Sequence, residues 1–81
     1  CVQAVRARKD ALAAPINSGL AREGLETAIK LCPKLSSAHF DLGRARLSFG
    51  DVQGAVKSFH DAVSLAPSSL HRVGLGNALL Q

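Results

Sequence analysis

Displaced by 34 residues, the chain lies over itself with its landmarks in register. Asn17 falls on Asp51, Ala21 on Ala55, Leu25 on Phe59, Ala28 on Ala62, Leu31 on Leu65 and Pro33 on Pro67; Ala4 falls on Ala38 and Ala11 on Ala45. A period of this length holds one supersecondary unit, which cannot bury its own apolar face alone. The repeat therefore predicts like modules stacked on one another, each covering the apolar flank of the next.

Breakers show what a module contains. Turns at Pro15-Ile16-Asn17-Ser18-Gly19, Pro33-Lys34-Leu35-Ser36, Phe49-Gly50-Asp51 and Pro67-Ser68-Ser69 divide the 81 residues into five segments of helical length. The fourth segment carries Val52, Ala55, Val56, Phe59, Ala62, Val63 and Ala66 at steps of three and four, one face of a helix, with Asp51 placed to cap it. The second repeats this layout with Ala21, Leu25, Ala28, Ile29 and Cys32, and Asn17 at the capping place. No stretch alternates as a strand does. The sequence predicts an all-α protein of five helices.

Composition narrows the function. Hydrophobic residues make up 47% of the chain, too many for a disordered tail, and no apolar run is long enough to span a bilayer. The net charge is +4, but the basic residues are scattered from Arg6-Ala7-Arg8-Lys9 through Arg44-Ala45-Arg46 to Arg72, and the three aromatics are all Phe. That argues against nucleic acid, whose binders gather charge on one face and, for single strands, interleave stacking aromatics. No phosphate loop or nucleophile elbow occurs. His39, His60 and His71 lack the spacing of metal ligands, so neither a metal, a cofactor nor an enzyme is expected.

With the period on the page, the stretch Ser36 to Ser69 closely resembles a tetratricopeptide repeat. The family pattern W-x-x-L-G-x-x-Y, then A-x-x-x-F, A and P is met by Leu42-Gly43, Ala55, Phe59, Ala62 and Pro67. His39 and Arg46 stand in for the two aromatics of its first helix. Residues 2–35 are a weaker copy, with Arg8-Lys9 where Leu42-Gly43 stand in the next unit, and residues 70–81 would be the first helix of a third. The resemblance implies a single domain over 1–81, a right-handed α-solenoid of antiparallel helical hairpins: about two repeats and one further helix. Gly43 would let two helices approach beneath Phe59. The other helical glycines, Gly24, Gly54, Gly74 and Gly76, each cost about 1 kcal/mol relative to Ala. The last helix, with Val73, Leu75, Leu79 and Leu80, is apolar on more than one side, as expected of a piece of a longer array or of an oligomer that covers its end.

The resemblance also implies a function. First helices of such units line a concave groove that holds part of another protein. On the third segment Ala38, Leu42, Ala45 and Phe49 form the packing stripe, and Ser37, Phe40, Arg44, Leu47 and Ser48 the adjacent one. Phe40 and Leu47 then read either as peptide anchors or as packing against the neighbouring unit. One period earlier stand Gln3, Arg6, Asp10, Ala13 and Ala14, and one period later His71, Gly74, Ala78 and Gln81. The expected site is Gln3, Arg6, Asp10, Ser37, Phe40, Arg44, Leu47 and His71: a mildly basic groove for an acidic or carboxylate-bearing segment of a partner. Asp10 and Asp41 fall where the chaperone-binding members of the family carry Asn, which argues against their terminal-carboxylate clamp. The expected function is a non-enzymatic scaffold for protein–protein interaction. The alternatives are self-assembly, by stacking on neighbouring repeats or a second copy through the apolar last helix, and an RNA-binding helical repeat.

Cys32 lies on the buried face of its helix and Cys1 opens the chain. Antiparallel packing of the first two helices would bring them to one end, within reach of a disulfide. A lipid anchor on Cys1 and a plain cut in a longer chain are the other readings, and the cut is the blander one.

Overall fold

The computed structural model describes residues 1–15, 18–66 and 76 of the chain. Among them are four helices and no strand: α1 (Val2–Leu12), α2 (Gly19–Leu31), α3 (Ser36–Ser48) and α4 (Val52–Leu65). Val2 and Ser36, which open α1 and α3, are 34 residues apart, as are Leu31 and Leu65, which close α2 and α4. The all-α class stands. The fifth helix expected over 70–81 lies, except for Gly76, outside the described residues.

Local chemistry sets the boundaries. Asp51 caps α4, its carboxylate accepting the Gly54 amide at 3.0 Å. In α2 the cap is Ser18, whose Oγ accepts the Ala21 amide at 3.2 Å. The expected cap, Asn17, lies outside the described residues. Asn and Ser cap equally well, so the sequence alone does not choose between neighbours. Between α3 and α4 the chain turns at Gly50, with φ of 82°, a conformation that residues with a Cβ seldom adopt.

Each helix packs chiefly on those next to it in sequence, and in opposite directions. The start of α1 meets the end of α2 at Ala4, Ala28 and Cys32, with Ala38 of α3 in the same cluster. Ala11 and Leu25 join Leu42 and Ala45 in a second cluster, so α2 is held between α1 and α3. The third cluster joins α3 to α4 through Phe40, Ala55, Phe59 and Ala62, with Leu47 and Val56 against it.

The two hairpins are joined unequally. Phe40 and Phe59 meet at 5.4 Å between ring centroids, tilted by 57°. Burying a large side chain stabilises by roughly 1.5–3 kcal/mol, whereas a methyl group contributes about 0.8 kcal/mol. Against α2, α1 places Ala4, Ala7 and Ala11, while its larger Val2, Val5 and Leu12 are 69%, 49% and 37% exposed. The second hairpin is joined by a ring pair, the first by alanines against Leu25.

The points of closest approach differ as well. In the second hairpin a Cβ built on Gly43 would stand 2.8 Å from the Phe59 ring. In the first, Lys9 occupies the equivalent place and is exposed. The contact moves instead to Ala11 and Gly24, where an added Cβ would come within 2.6 Å of the Ala11 Cβ. Gly24 and Gly43 are therefore not mere costs to their helices: each lets a neighbour in.

Candidate functional site

The groove is expected where first helices meet, and there α1 and α3 are joined by charge. Arg8 Nε donates to Asp41 Oδ2 at 2.5 Å, and Arg44 Nη1 lies 3.8 Å from Asp41 Oδ1. The Asp41 side chain is 3% exposed, those of Arg8 and Arg44 32% and 53%. A carboxylate taken that far out of water needs a bonded partner, and Arg8 supplies it. Two guanidinium groups share one carboxylate, so the cluster keeps a surplus positive charge that Arg44 presents to solvent.

This changes how Asp41 is read. From sequence it is a carboxylate that would repel an acidic partner. In the structure it is buried and neutralised, and it holds both arginines on one surface. Arg8, which sequence reasoning set outside the groove, is the α1 residue that reaches it. The signal was present in outline, since Arg8 stands where Leu42 packs in the next unit, and an arginine there must find a counter-charge.

The other expected site residues scatter. Gln3 lines a shallow depression with Cys1, Val2, Ala4 and Leu31. Asp10 lines a separate one between α1 and α2, with Ala7, Ala14, Leu20 and Thr27. Neither depression includes Arg44. Arg6 is exposed on α1, and Ser37 is half-buried in the first turn of α3. Phe40 is only 8% exposed and packs on Phe59, with Leu47 half-buried beside it, so both lie against α4 of their own hairpin rather than against the neighbouring unit. His71 lies outside the described residues.

His39 and Arg46 of α3 both make side-chain hydrogen bonds. Arg46 Nη1 donates to the Ser58 hydroxyl at 2.9 Å and to the Gly54 carbonyl at 3.3 Å, tying α3 to α4. His39 Nε2 donates to the Pro33 carbonyl at 2.8 Å, fixing the turn that enters α3. At the other end of α3, the Arg22 guanidinium of α2 lies over the Phe49 ring, 5.2 Å from its centroid.

Cys1 and Cys32 form a disulfide, with Cα atoms 5.5 Å apart. The disulfide reading of Cys1 and Cys32 is the one this distance supports. Among the described residues no group of three or more His, Cys, Asp or Glu side chains could hold a metal ion, and no helix is long and apolar enough to cross a membrane. No family model, no curated protein and no solved structure matches this chain.

Proposed function

We propose that this chain is a tetratricopeptide-like scaffold, a right-handed stack of helical hairpins that binds an acidic segment of another protein without catalysing a reaction. The observation that carries this reading is the Arg8–Asp41–Arg44 cluster. A buried carboxylate holds arginines from two successive first helices on one surface, with charge to spare for a second carboxylate. Guanidinium groups recognise carboxylates through paired N–H donors, so a partner's Asp, Glu or terminal carboxylate fits the surplus. The scaffold half of the reading draws on the 34-residue spacing of equivalent helices and on the close packing of Gly43 under Phe59.

The test is fluorescence anisotropy with a pool of labelled acidic peptides, native chain against Arg44→Glu. Because Arg44 also faces the buried Asp41, circular dichroism must first show the variant folded, and Arg44→Gln, which adds no charge, is run beside it. The expected result is binding weakened by about tenfold, equivalent to about 1.4 kcal/mol. Equal binding by the two proteins would remove Arg44 from the site. A single-stranded RNA arm separates the rival class, whose affinity would fall steeply with salt.

A second reading, self-assembly, is favoured by the outward stripe of Val2, Val5 and Leu12 on α1. A mass in solution that rises with concentration and is unchanged by Arg44→Glu would select it.

A further inference from the structure

Helix α1 has few means of staying where it is. Its contacts with α2 and α3 are made by Ala4, Ala7 and Ala11, and its larger apolar side chains face outward. It is 11 residues long, and its N-cap, Cys1, makes no side-chain capping bond. Helices this short are not stable in water on their own, so α1 is helical only while docked. Among the described residues, two attachments beyond the alanine contacts keep it there. One is the bond from Arg8 to Asp41, and the other is the disulfide from Cys1 to Cys32 at the end of α2. The hairpin of α3 and α4 has no need of either, since Phe40, Phe59, Leu47 and Val56 join it.

We propose that the Cys1–Cys32 disulfide is a redox latch on α1. Closed, it seats α1 against α2 and holds Arg8 on Asp41. Opened, it lets α1 leave and melt while α3 and α4 stay folded. The seat left behind is apolar, made by Leu25, Ala28, Ala38, Leu42 and Ala45, with Asp41 at its edge. The exposed residue of the pair is Cys1. A dithiol reductant attacks its sulfur, forms a mixed disulfide there and releases Cys32 as a thiolate, which takes up a proton. The second thiol of the reductant then displaces Cys1, also as a thiol. Two electrons and two protons reach the protein, and the reductant closes into its own disulfide. This proposal does not depend on what the scaffold binds.

Hydrogen exchange read by mass spectrometry on the intact chain tests it, with and without dithiothreitol. The expected result is that amides from Val5 to Leu12 exchange at least about tenfold faster in the reduced protein, while those of α3 and α4 hold their protection. The Cys1→Ala variant should show the reduced pattern in oxidising buffer and ignore the reductant. Three results would overturn the proposal. One is equal protection of α1 in both states, which makes the bond a passive cross-link. Another is loss of protection in α3 and α4 together with α1, which makes it a staple for the whole fold. The third is an intact mass under oxidising conditions that lacks the two-hydrogen deficit, since then no bond forms.

Discussion

Gly43 in α3 lies directly beneath the Phe59 ring of α4, with ring carbons 2.8–3.0 Å from where a Cβ would be. Phe59 is 1% exposed and is packed in turn against Phe40, so it has nowhere to yield. Gly43→Ala gains about 1 kcal/mol of helix propensity, but overpacking of this kind costs about 1–3 kcal/mol. The expected net effect is a loss of up to about 2 kcal/mol in urea denaturation. Gly19→Ala, at the first position of α2 with nothing within 4 Å, is the control and should be neutral or slightly stabilising.

Arg46 ties α3 to α4 through its bonds to the Ser58 hydroxyl and the Gly54 carbonyl. Arg46→Leu leaves the 2%-exposed Ser58 hydroxyl without its charged donor. An unsatisfied buried polar group costs about 1–3 kcal/mol. Thermal unfolding should show that loss. Arg46→Leu combined with Ser58→Ala should recover part of it, because the orphaned hydroxyl goes too.

Phe59→Ala tests how much of the fold rests on one ring. Truncating a buried Phe costs about 3–5 kcal/mol, and chains of this size have only about 3–5 kcal/mol in all. The variant should be largely unfolded by circular dichroism at room temperature. Leu65→Ala, at a side chain 41% exposed, should remain folded.

The second hairpin was the more legible because its side chains allow only one arrangement. Phe59 needs a hollow and Gly43 provides it, although Phe40, read as outside the packing stripe, is buried and Phe49, read as part of it, is 46% exposed. The stripe of α2, from Ala21 through Leu25 and Ala28 to Cys32, was legible for the same reason. In α1 the pattern is weak. Its apolar residues form two candidate faces, Val2, Val5 and Leu12 or Ala4, Ala7 and Ala11, and only the 34-residue match of Ala4 with Ala38 and Ala11 with Ala45 points to the second. The structure buries the smaller one. Lys9, a long charged side chain, cannot lie under Leu25 as Gly43 lies under Phe59, so only the alanine face can come close to Gly24. Carrying the groove positions of α3 back by one period therefore picked out Gln3 and Asp10, while the residue that reaches Asp41 is Arg8. The buried alanines Ala4 and Ala11 do transfer with the period, but Arg8 and Lys9 stand where Leu42 and Gly43 would be, and the contact with Asp41 arises there.

The stacking of one hairpin on the next is tested most directly by a double-mutant cycle across Arg8 and Asp41, using Arg8→Leu, Asp41→Leu and the pair, followed by urea denaturation. Removing Arg8 alone leaves the buried carboxylate with only Arg44, 3.8 Å away, and should cost about 1–3 kcal/mol, whereas removing both should cost much less. The coupling expected between the two sites is about 1.5–3 kcal/mol. Additive losses from the two single variants would mean that α1 and α3 do not meet there, and would contradict the stack.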